Sequence, residues 1–243
     1  MLLNCDLGEE CAGAAGDIDA QVMPHIDQAN IACGFHAGGP ETMHKTLALA
    51  AQYAVAVGAH PSYQDREGFG RRSQSLSREA LIAAVQYQMA ALEGMALCHG
   101  LQPSHVKPHG ALYNDMMRDP EVRAGVMQAV AGFHHSLPLV LQATPQAPLH
   151  EAEAAALGVQ LQFEAFADRR YADDGRLLPR SEPGAVLSKA EVMDQVAQLK
   201  SDASVTTAGG ESLPLAASTL CVHGDNAEGV AAISAIRKLL QRG

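Results

Sequence analysis

The chain has 243 residues, 47% of them hydrophobic and only 4% aromatic, so it can bury the core of one large α/β domain, filled mainly by Ala, Val and Leu. A formal net charge of −10 without a basic stripe argues against a nucleic-acid-binding surface. Five cysteines with no CxxC pair favour reduced thiols in a cytoplasmic protein, and no apolar run approaches the ~20 residues that a membrane span needs.

Short apolar runs alternate with helical patterns in the first half of the chain. Strands are predicted over residues 2–6, 29–32, 55–59 and 106–107. Pro40 suits the first turn of a helix, and Ser77 is a good N-cap for a long one. Each predicted helix therefore connects two predicted strands.

The same alternation continues to the C-terminus. Pro120 opens a helix, and strands are predicted over residues 139–141, 160–164 and 219–222. A long polar connection over residues 165–184 precedes a capping box formed by Ser188 and Glu191. Unbroken strand–helix alternation implies parallel strands, and about seven of them predict a single (β/α) barrel domain over residues 1–243.

Four separated segments carry a histidine beside Gly, Pro or an acid. Three of them follow a short apolar run, and the loops that leave strand ends are where an α/β enzyme places its chemistry. The four histidines are His36, His60, His109 and His223. We expect them to share one pocket, and we treat the remaining histidines as structural or solvated.

Acidic and basic side chains accompany these histidines. Asp6 ends the first strand on the same side as Asn4, because side chains alternate along a strand, although a turn with Asp as N-cap explains it too. Lys107 beside His109 could polarise a carbonyl or hold an anion, the alternative being a surface turn. Asp225 could orient His223 or cap the following helix.

Further candidates for substrate binding are polar or charged groups near the predicted strand ends. Arginine suits bidentate recognition of a carboxylate or phosphate, whereas surface ion pairing and a solvated loop are the plainer explanations. These candidates are Asn30, Arg71, Glu164, Asp168, Arg169 and Arg170. No Walker loop, Gly-x-Ser-x-Gly or His-Glu-x-x-His occurs, so catalysis would rest on acid, base and electrostatic groups, with or without a metal.

Seven segments spread over nearly the whole chain resemble the LamB/YcsF family. They are Leu3-Asn4-Cys5-Asp6-Leu7-Gly8-Glu9, Asn30-Ile31-Ala32-Cys33-Gly34-Phe35-His36-Ala37-Gly38, Gly58-Ala59-His60-Pro61, Gly68-Phe69-Gly70-Arg71-Arg72, Val106-Lys107-Pro108-His109-Gly110-Ala111-Leu112-Tyr113-Asn114, Glu164-Ala165-Phe166-Ala167-Asp168-Arg169-Arg170-Tyr171 and Cys221-Val222-His223-Gly224-Asp225-Asn226. The nine residues around Lys107 are the most specific. One departure is Gly39, where the family pattern has Asp before the proline.

The resemblance implies an irregular (β/α) barrel like that of the glycoside hydrolase/deacetylase superfamily. It also implies a hydrolase, the ATP-dependent 5-oxoprolinase that opens 5-oxoproline (pyroglutamate) to glutamate together with partner subunits B and C. ATP with Mg would then be bound by, or shared with, those partners. Chemistry assigns catalytic roles to Asp6, His60, Lys107, His109, His223 and Asp225, and substrate binding to Asn30, His36, Arg71, Glu164, Asp168, Arg169 and Arg170.

Two alternatives remain open at this point. The chain could be a metal-dependent deacetylase or amidohydrolase that acts alone, with Asp6, His36 and His60 as metal ligands. It could also be a non-catalytic subunit that binds the substrate within a larger complex. The sequence leaves the identity of any metal undetermined.

Overall fold

The computed structural model describes residues 1–9, 18–224 and 226–241. Within these residues, strands and helices alternate along the chain, and a 3₁₀ turn over Met23–His25 precedes the second strand. The elements are β1 Leu2–Leu7, α1 Ile18–Val22, β2 Gln28–Ala32, α2 Pro40–Tyr53, β3 Ala56–His60, α3 Arg78–Leu97, β4 Pro103–Val106, α4 Gly110–Arg118, α5 Pro120–Ala131, β5 Leu139–Gln142, α6 Ala147–Ala156, β6 Leu161–Phe166, α7 Lys189–Asp202, β7 Ser204–Thr206, β8 Ser212–Pro214, β9 Thr219–His223 and α8 Ala227–Gln241.

Seven parallel strands close into a barrel surrounded by helices. Their order is β1-β2-β3-β4-β5-β6-β9, and β9 closes the barrel by pairing with both β6 and β1. The register places Asp6 of β1 opposite Asn30 of β2 and His223 of β9. The predicted barrel is confirmed, and all its strands deliver their carboxyl ends to one mouth.

The helix starts that the sequence predicts are confirmed. Pro40 and Pro120 occupy the first positions of α2 and α5. The Ser77 side chain accepts a hydrogen bond from the Ala80 amide at 3.2 Å, and Ser188 forms the capping box that begins α7. These polar groups satisfy backbone amides that no helical carbonyl reaches.

Three helices and one hairpin were not predicted from sequence. The first and shortest, α1, has a single buried residue, Val22. Only His150 and Ala154 of α6 are buried, so α6 lacks an apolar stripe. The segment that forms α4 was interpreted only through its catalytic candidates. Strands β7 and β8 have three residues each, too few for an alternating pattern, and Gly209 and Gly210 lie in the turn between them.

The apolar core lies between the barrel and the surrounding helices. Helix α3 packs against α5 and β3 through a buried stripe of Leu81, Val85, Met89 and Leu92. By length and mean hydropathy α3 could cross a membrane, contrary to the expectation from apolar runs. That is weak evidence, because a helix that contributes to the core of a globular domain meets the same criterion.

Candidate active site

Polar side chains fill the inside of the barrel. Alternation along β1 turns Asn4 and Asp6 inward, and alternation from β4 into the following residue does the same for His105 and Lys107. All four are at most 5% exposed. Bulky apolar residues usually fill such a barrel, so buried charge here marks the interior as a candidate site.

Lys107 lies at the centre of this interior. Its Nζ is 3.0 Å from Asp6 Oδ1, 3.0 Å from Glu164 Oε2 and 3.1 Å from Cys221 Sγ. Burial alone would lower the pKa of the Lys107 ammonium, but Asp6, Cys221 and Glu164 together outweigh burial and raise that pKa well above its ordinary value. Lys107 is therefore a fixed positive charge.

Asn30 holds the Asp6 carboxylate in place, and Asn4 orients Asn30. Asn30 Nδ2 donates to Asp6 Oδ1 at 2.8 Å and to Asn4 Oδ1 at 2.9 Å, and His105 Nε2 donates to Asn30 Oδ1 at 2.7 Å. Burial would raise the pKa of Asp6, but Lys107, His60 and His223 together outweigh burial and hold this pKa well below its usual range. Burial, with Lys107 nearby, lowers the pKa of His105 to about 3. Asp6 is thus anionic and His105 neutral.

Three histidines and Glu9 lie at the mouth, next to Asp6. His60 Nε2 is 3.4 Å from Asp6 Oδ2 and 3.0 Å from His109 Nδ1. Glu9 Oε1 is 3.0 Å from His36 Nε2, 3.1 Å from His109 Nδ1 and 3.6 Å from His60 Nε2. The three histidines are at most 6% exposed, so this group is shielded from bulk water.

A glycine-flanked loop shapes this group. His109 Nε2 donates to the Phe69 carbonyl at 2.9 Å, and Phe69 and Gly70 both have positive φ angles, 53° and 66°. A Cβ on Gly70 would lie 2.8 Å from the His36 Cβ and 2.9 Å from His109 Cδ2. Only glycine leaves room there for the two imidazoles.

His223 and Asp168 form a second pair at the mouth. His223 Nδ1 donates to Asp168 Oδ1 at 2.9 Å, and Asn226 Nδ2 donates to Asp168 Oδ2 at 3.0 Å. Burial would raise the pKa of Asp168, but His223, Asn226 and Arg180 together outweigh burial and lower this pKa. Asp225, the expected partner of His223, lies outside the described residues, and Asp168 orients the imidazole.

The structure brings most of the predicted site residues together. Asp6, Asn30, His36, His60, Lys107, His109 and Glu164 form one continuous network. His223 joins it, because ligand atoms of Asp6, Cys221 and His223 lie within 4.8 Å of one another. The sequence predicts that distant segments of the chain converge on one mouth of the barrel. These distances describe such a convergence.

The arginine candidates lie elsewhere or at the edge. Arg169 donates to the carbonyls of Ala185 and Leu178 at 3.3 and 2.5 Å, so it holds the long connection after β6. Arg170 pairs with Glu191 of α7 at 2.6 Å. Both have structural partners in place of the expected substrate. Arg71 is exposed, with its guanidinium 5.0 Å from the Phe69 ring centroid at the rim.

Four residues of the network were not assigned a role from sequence: Asn4, Glu9, His105 and Cys221. The signal for Asn4 and His105 was available, since each is two residues before a candidate on the same strand face. Glu9 follows β1, where no alternation applies. Cys221 is recognisable only once β9 is placed beside β1.

Three groups of side chains among the described residues are close enough to hold a metal ion. They are Glu9 with His36, His60 and His109; Asp6 with Cys221 and His223; and Glu93 with His134 and His135. The ligand set considered from sequence was Asp6, His36 and His60. In the structure, the carboxylate beside His36 belongs to Glu9 and not to Asp6.

Known proteins resemble this chain over nearly its whole length. Residues 1–243 match the model of the LamB/YcsF family. The chain is 51% identical to a 5-oxoprolinase subunit from Chromohalobacter salexigens over 97% of this chain and 95% of that protein, and 48% identical to its counterpart from Pseudomonas fluorescens over 99% and 96%. A crystal structure of a lactam utilization protein from Thermus thermophilus superposes with a TM-score of 0.88 at 39% identity, covering 100% of this chain and 96% of that one. The chain therefore belongs to the LamB/YcsF family.

Proposed function

We propose that this chain is the lactam-binding catalytic subunit of an ATP-dependent 5-oxoprolinase, which hydrolyses 5-oxo-L-proline to L-glutamate. The observation that carries the proposal is the Asp168–His223 pair next to the buried Lys107–Asp6 pair. An oriented base beside a fixed positive charge suits attack of water on an amide carbonyl. The relatives named as 5-oxoprolinase subunits and as a lactam utilization protein support this substrate class.

His223 is the general base in this proposal. Its Nδ1–H is held by Asp168, so the neutral ring carries its lone pair on Nε2, and its side chain is 16% exposed, more than the other histidines of the mouth. Asp6 and His60, the other candidate bases, are tied to Lys107 and to the neighbouring imidazoles. A positioned base of this kind contributes typically ~10²–10⁴-fold to the rate.

Lys107 stabilises the negative charge that develops on the lactam oxygen. A five-membered lactam is little strained and is stabilised by amide resonance, so water alone attacks it slowly. Transfer of the ATP γ-phosphoryl group to the lactam oxygen would give an O-phosphorylated imidate and ADP. Water would then add to the imidate carbon, the ring C–N bond would break as the nitrogen takes up a proton, and a second water would release phosphate from the resulting acyl phosphate, which explains the need for ATP. Partner subunits B and C supply ATP and Mg in this proposal, since the sequence contains no Walker loop. We place the complex in the cytoplasm.

Reconstitution tests the proposal. The chain is mixed with subunits B and C, and glutamate release from 5-oxoproline is measured with ATP present and omitted. We expect release only with ATP, and a fall in kcat of ~10²–10⁴-fold for His223→Ala. His44→Ala, on the exposed side of α2, is the matched control and should keep full turnover.

Two outcomes would contradict the proposal. Hydrolysis by this chain alone without ATP would favour the metal-dependent deacetylase or amidohydrolase. Unchanged turnover of the His223→Ala complex, together with binding of 5-oxoproline by the isolated chain in calorimetry, would favour a non-catalytic binding subunit.

A further inference from the structure

Two imidazoles at the mouth direct their inner nitrogens toward each other. His60 Nδ1 lies 2.6 Å from the Lys107 carbonyl oxygen, and His109 Nε2 lies 2.9 Å from the Phe69 carbonyl oxygen. A carbonyl oxygen only accepts, so each ring carries a proton on that outer nitrogen. In the neutral rings the lone pairs are then on His60 Nε2 and His109 Nδ1, which are 3.0 Å apart.

The Glu9 carboxylate completes a triangle of acceptors. Its Oε1 is 3.1 Å from His109 Nδ1 and 3.6 Å from His60 Nε2. Three electron-rich atoms at this separation repel one another unless a proton or a metal cation lies among them. Metal–nitrogen bonds of ~2.1 Å place neighbouring ligands roughly 3.0–3.4 Å apart. Two of the three separations, 3.0 and 3.1 Å, lie in that range, and the third, 3.6 Å between Glu9 and His60, is slightly longer.

His36 supports this triangle from the side. Its ring lies parallel to that of His109, with centroids 3.8 Å apart and planes at 4°. An ion in the plane of His109 is out of the plane of His36, so His36 is a poor ligand for the same ion. Its Nε2 instead lies 3.0 Å from Glu9 Oε1, and its Nδ1 lies 2.9 Å from Ser62 Oγ, so it positions the carboxylate.

We propose that Glu9, His60 and His109 form a binding site for one divalent transition-metal ion. Two imidazoles and one carboxylate favour ions such as Zn²⁺, Mn²⁺, Fe²⁺, Co²⁺ or Ni²⁺ over Mg²⁺ and Ca²⁺. Hydrogen bonds from the outer nitrogens to backbone carbonyls orient histidine ligands in this way in metalloproteins. Three protein ligands leave coordination positions open, and Asp6 Oδ2 lies 3.4 Å from His60 Nε2 on that side.

The site is distinct from a chance cluster on the surface. Glu93, His134 and His135 also approach one another, but His134 is exposed and no barrel strand carries them. The side chains of the proposed ligands are at most 8% exposed. They come from the end of β3 and from the segments that follow β1 and β4. The proposal goes beyond ring opening, since it concerns what this chain binds by itself.

Cobalt titration of the metal-stripped full-length chain tests the site. We expect one Co²⁺ per chain, visible d–d absorption, and a rise in Tm that a chelator reverses. His109→Ala and Glu9→Gln should each weaken Co²⁺ binding ~100-fold or more, because even loss of an outer-shell partner costs 10–100-fold. The double variant His134→Ala/His135→Ala is the control and should keep the tight site.

Either of two results overturns the proposal. In the first, the chain takes up no Co²⁺ at tenfold excess. In the second, Co²⁺ binding is abolished by His134→Ala/His135→Ala and is unchanged by Glu9→Gln. Circular dichroism of each metal-free variant checks that it folds. If His109→Ala does not fold, the result for the near-isosteric Glu9→Gln decides the test. The titration contains neither substrate nor partner subunits. Failure of metal binding therefore leaves the proposed ring opening standing, and failure of ring opening leaves the metal site standing.

Discussion

Lys107 lies between two buried carboxyl groups, Asp6 and Glu164, and its ammonium contacts both at 3.0 Å. Burial of an ionised group without a partner costs several kcal/mol, so the network is stable only as a set. The same requirement makes the site pre-organised, because Asn30 and Asn4 hold the oxygens before any ligand arrives. Single substitutions in this layer should therefore affect stability as well as turnover.

Lys107→Met removes the charge and keeps the length of the side chain. We expect loss of ring opening and a decrease in the free energy of unfolding of about 3 kcal/mol or more, since two buried carboxylates lose their partner. Urea denaturation measures the change. Adding Glu164→Gln should recover part of the stability without restoring turnover, and an unchanged urea midpoint for Lys107→Met would contradict the charge balance described here.

Gly58 of β3 leaves room for the His105 ring. A Cβ at this position would lie 2.2 Å from His105 Nε2, the atom that donates to Asn30. Gly58→Ala should therefore displace His105 and lower the free energy of unfolding by about 1–3 kcal/mol. Gly94→Ala in α3 is the control, because a Cβ there meets nothing within 4 Å. This substitution should raise the free energy of unfolding by roughly 0.5–1 kcal/mol. Equal thermal midpoints for the two variants would argue against this packing.

Elements outside the barrel are held by caps and ion pairs at their ends. Gly39 is the N-cap of α2, with an extended backbone (φ 175°) and no side-chain cap. Arg123 of α5 is 4% exposed and ties α5 to Glu153 of α6 and to the Met116 carbonyl of α4. The missing side-chain cap of α2 and the contact between Arg123 and Glu153 each lead to a prediction about stability.

Gly39→Asp should stabilise α2. A Cβ at Gly39 meets nothing within 4 Å, and an Asp side chain can accept from the amides of the first turn. The expected gain in the free energy of unfolding is a few tenths of a kcal/mol, up to about 1. Gly39→Ala, which offers no acceptor, is the control, and equal thermal midpoints for the two variants would show that no cap forms.

Glu153 makes the stability of the α5–α6 contact depend on pH. The hydrogen bonds from Arg123, at 2.6 and 2.9 Å, lower the pKa of Glu153 below its ordinary 4.5. Its contribution is therefore complete above pH 4.5 and is lost as the pH falls toward the lowered folded-state pKa. Glu153→Gln should cost on the order of 1 kcal/mol at pH 7, since solvent partly screens the pair.

Urea denaturation at several pH values from 3 to 7 checks this prediction. The difference between the parent chain and Glu153→Gln should be constant at neutral pH and shrink in acid. A difference that is independent of pH would mean that the Glu153 charge is not what stabilises the contact.

At the scale of the whole molecule, the last strand completes the barrel. β9 pairs with β1 and β6, and it carries Cys221 and His223 into the site. Without β9, strands β1 and β6 each lose the neighbour to which their backbones hydrogen-bond. Unpaired strand edges of this kind promote aggregation.

Removal of residues 217–243 should therefore abolish folding. We expect a chain that aggregates or shows no cooperative thermal transition, because both the barrel and the α7–α8 packing are lost. Scanning calorimetry and gel filtration measure the outcome. Deletion of residues 242–243 alone is the control, and a monomeric, cooperatively folded 216-residue chain would contradict the role of β9.

Local patterns in the sequence determined the class of fold and the contents of the site. Strand–helix alternation predicts the parallel barrel, and Pro40, Ser77 and Ser188 mark helix starts, because these signals act within a few residues. Segments with His, Asp or Lys at strand ends predict one mouth, since parallel strands deliver their carboxyl ends to the same side.

Only the tertiary structure decided which side chains meet. Glu9 takes the place expected for Asp6 beside His36, Asp168 orients His223, and Arg169 binds backbone carbonyls of its own connection. Strand register and loop path set these pairings between segments far apart in the chain, and periodicity carries no information over that range. The sequence thus indicated the chemical groups, and closure of the barrel determined which of them are in contact.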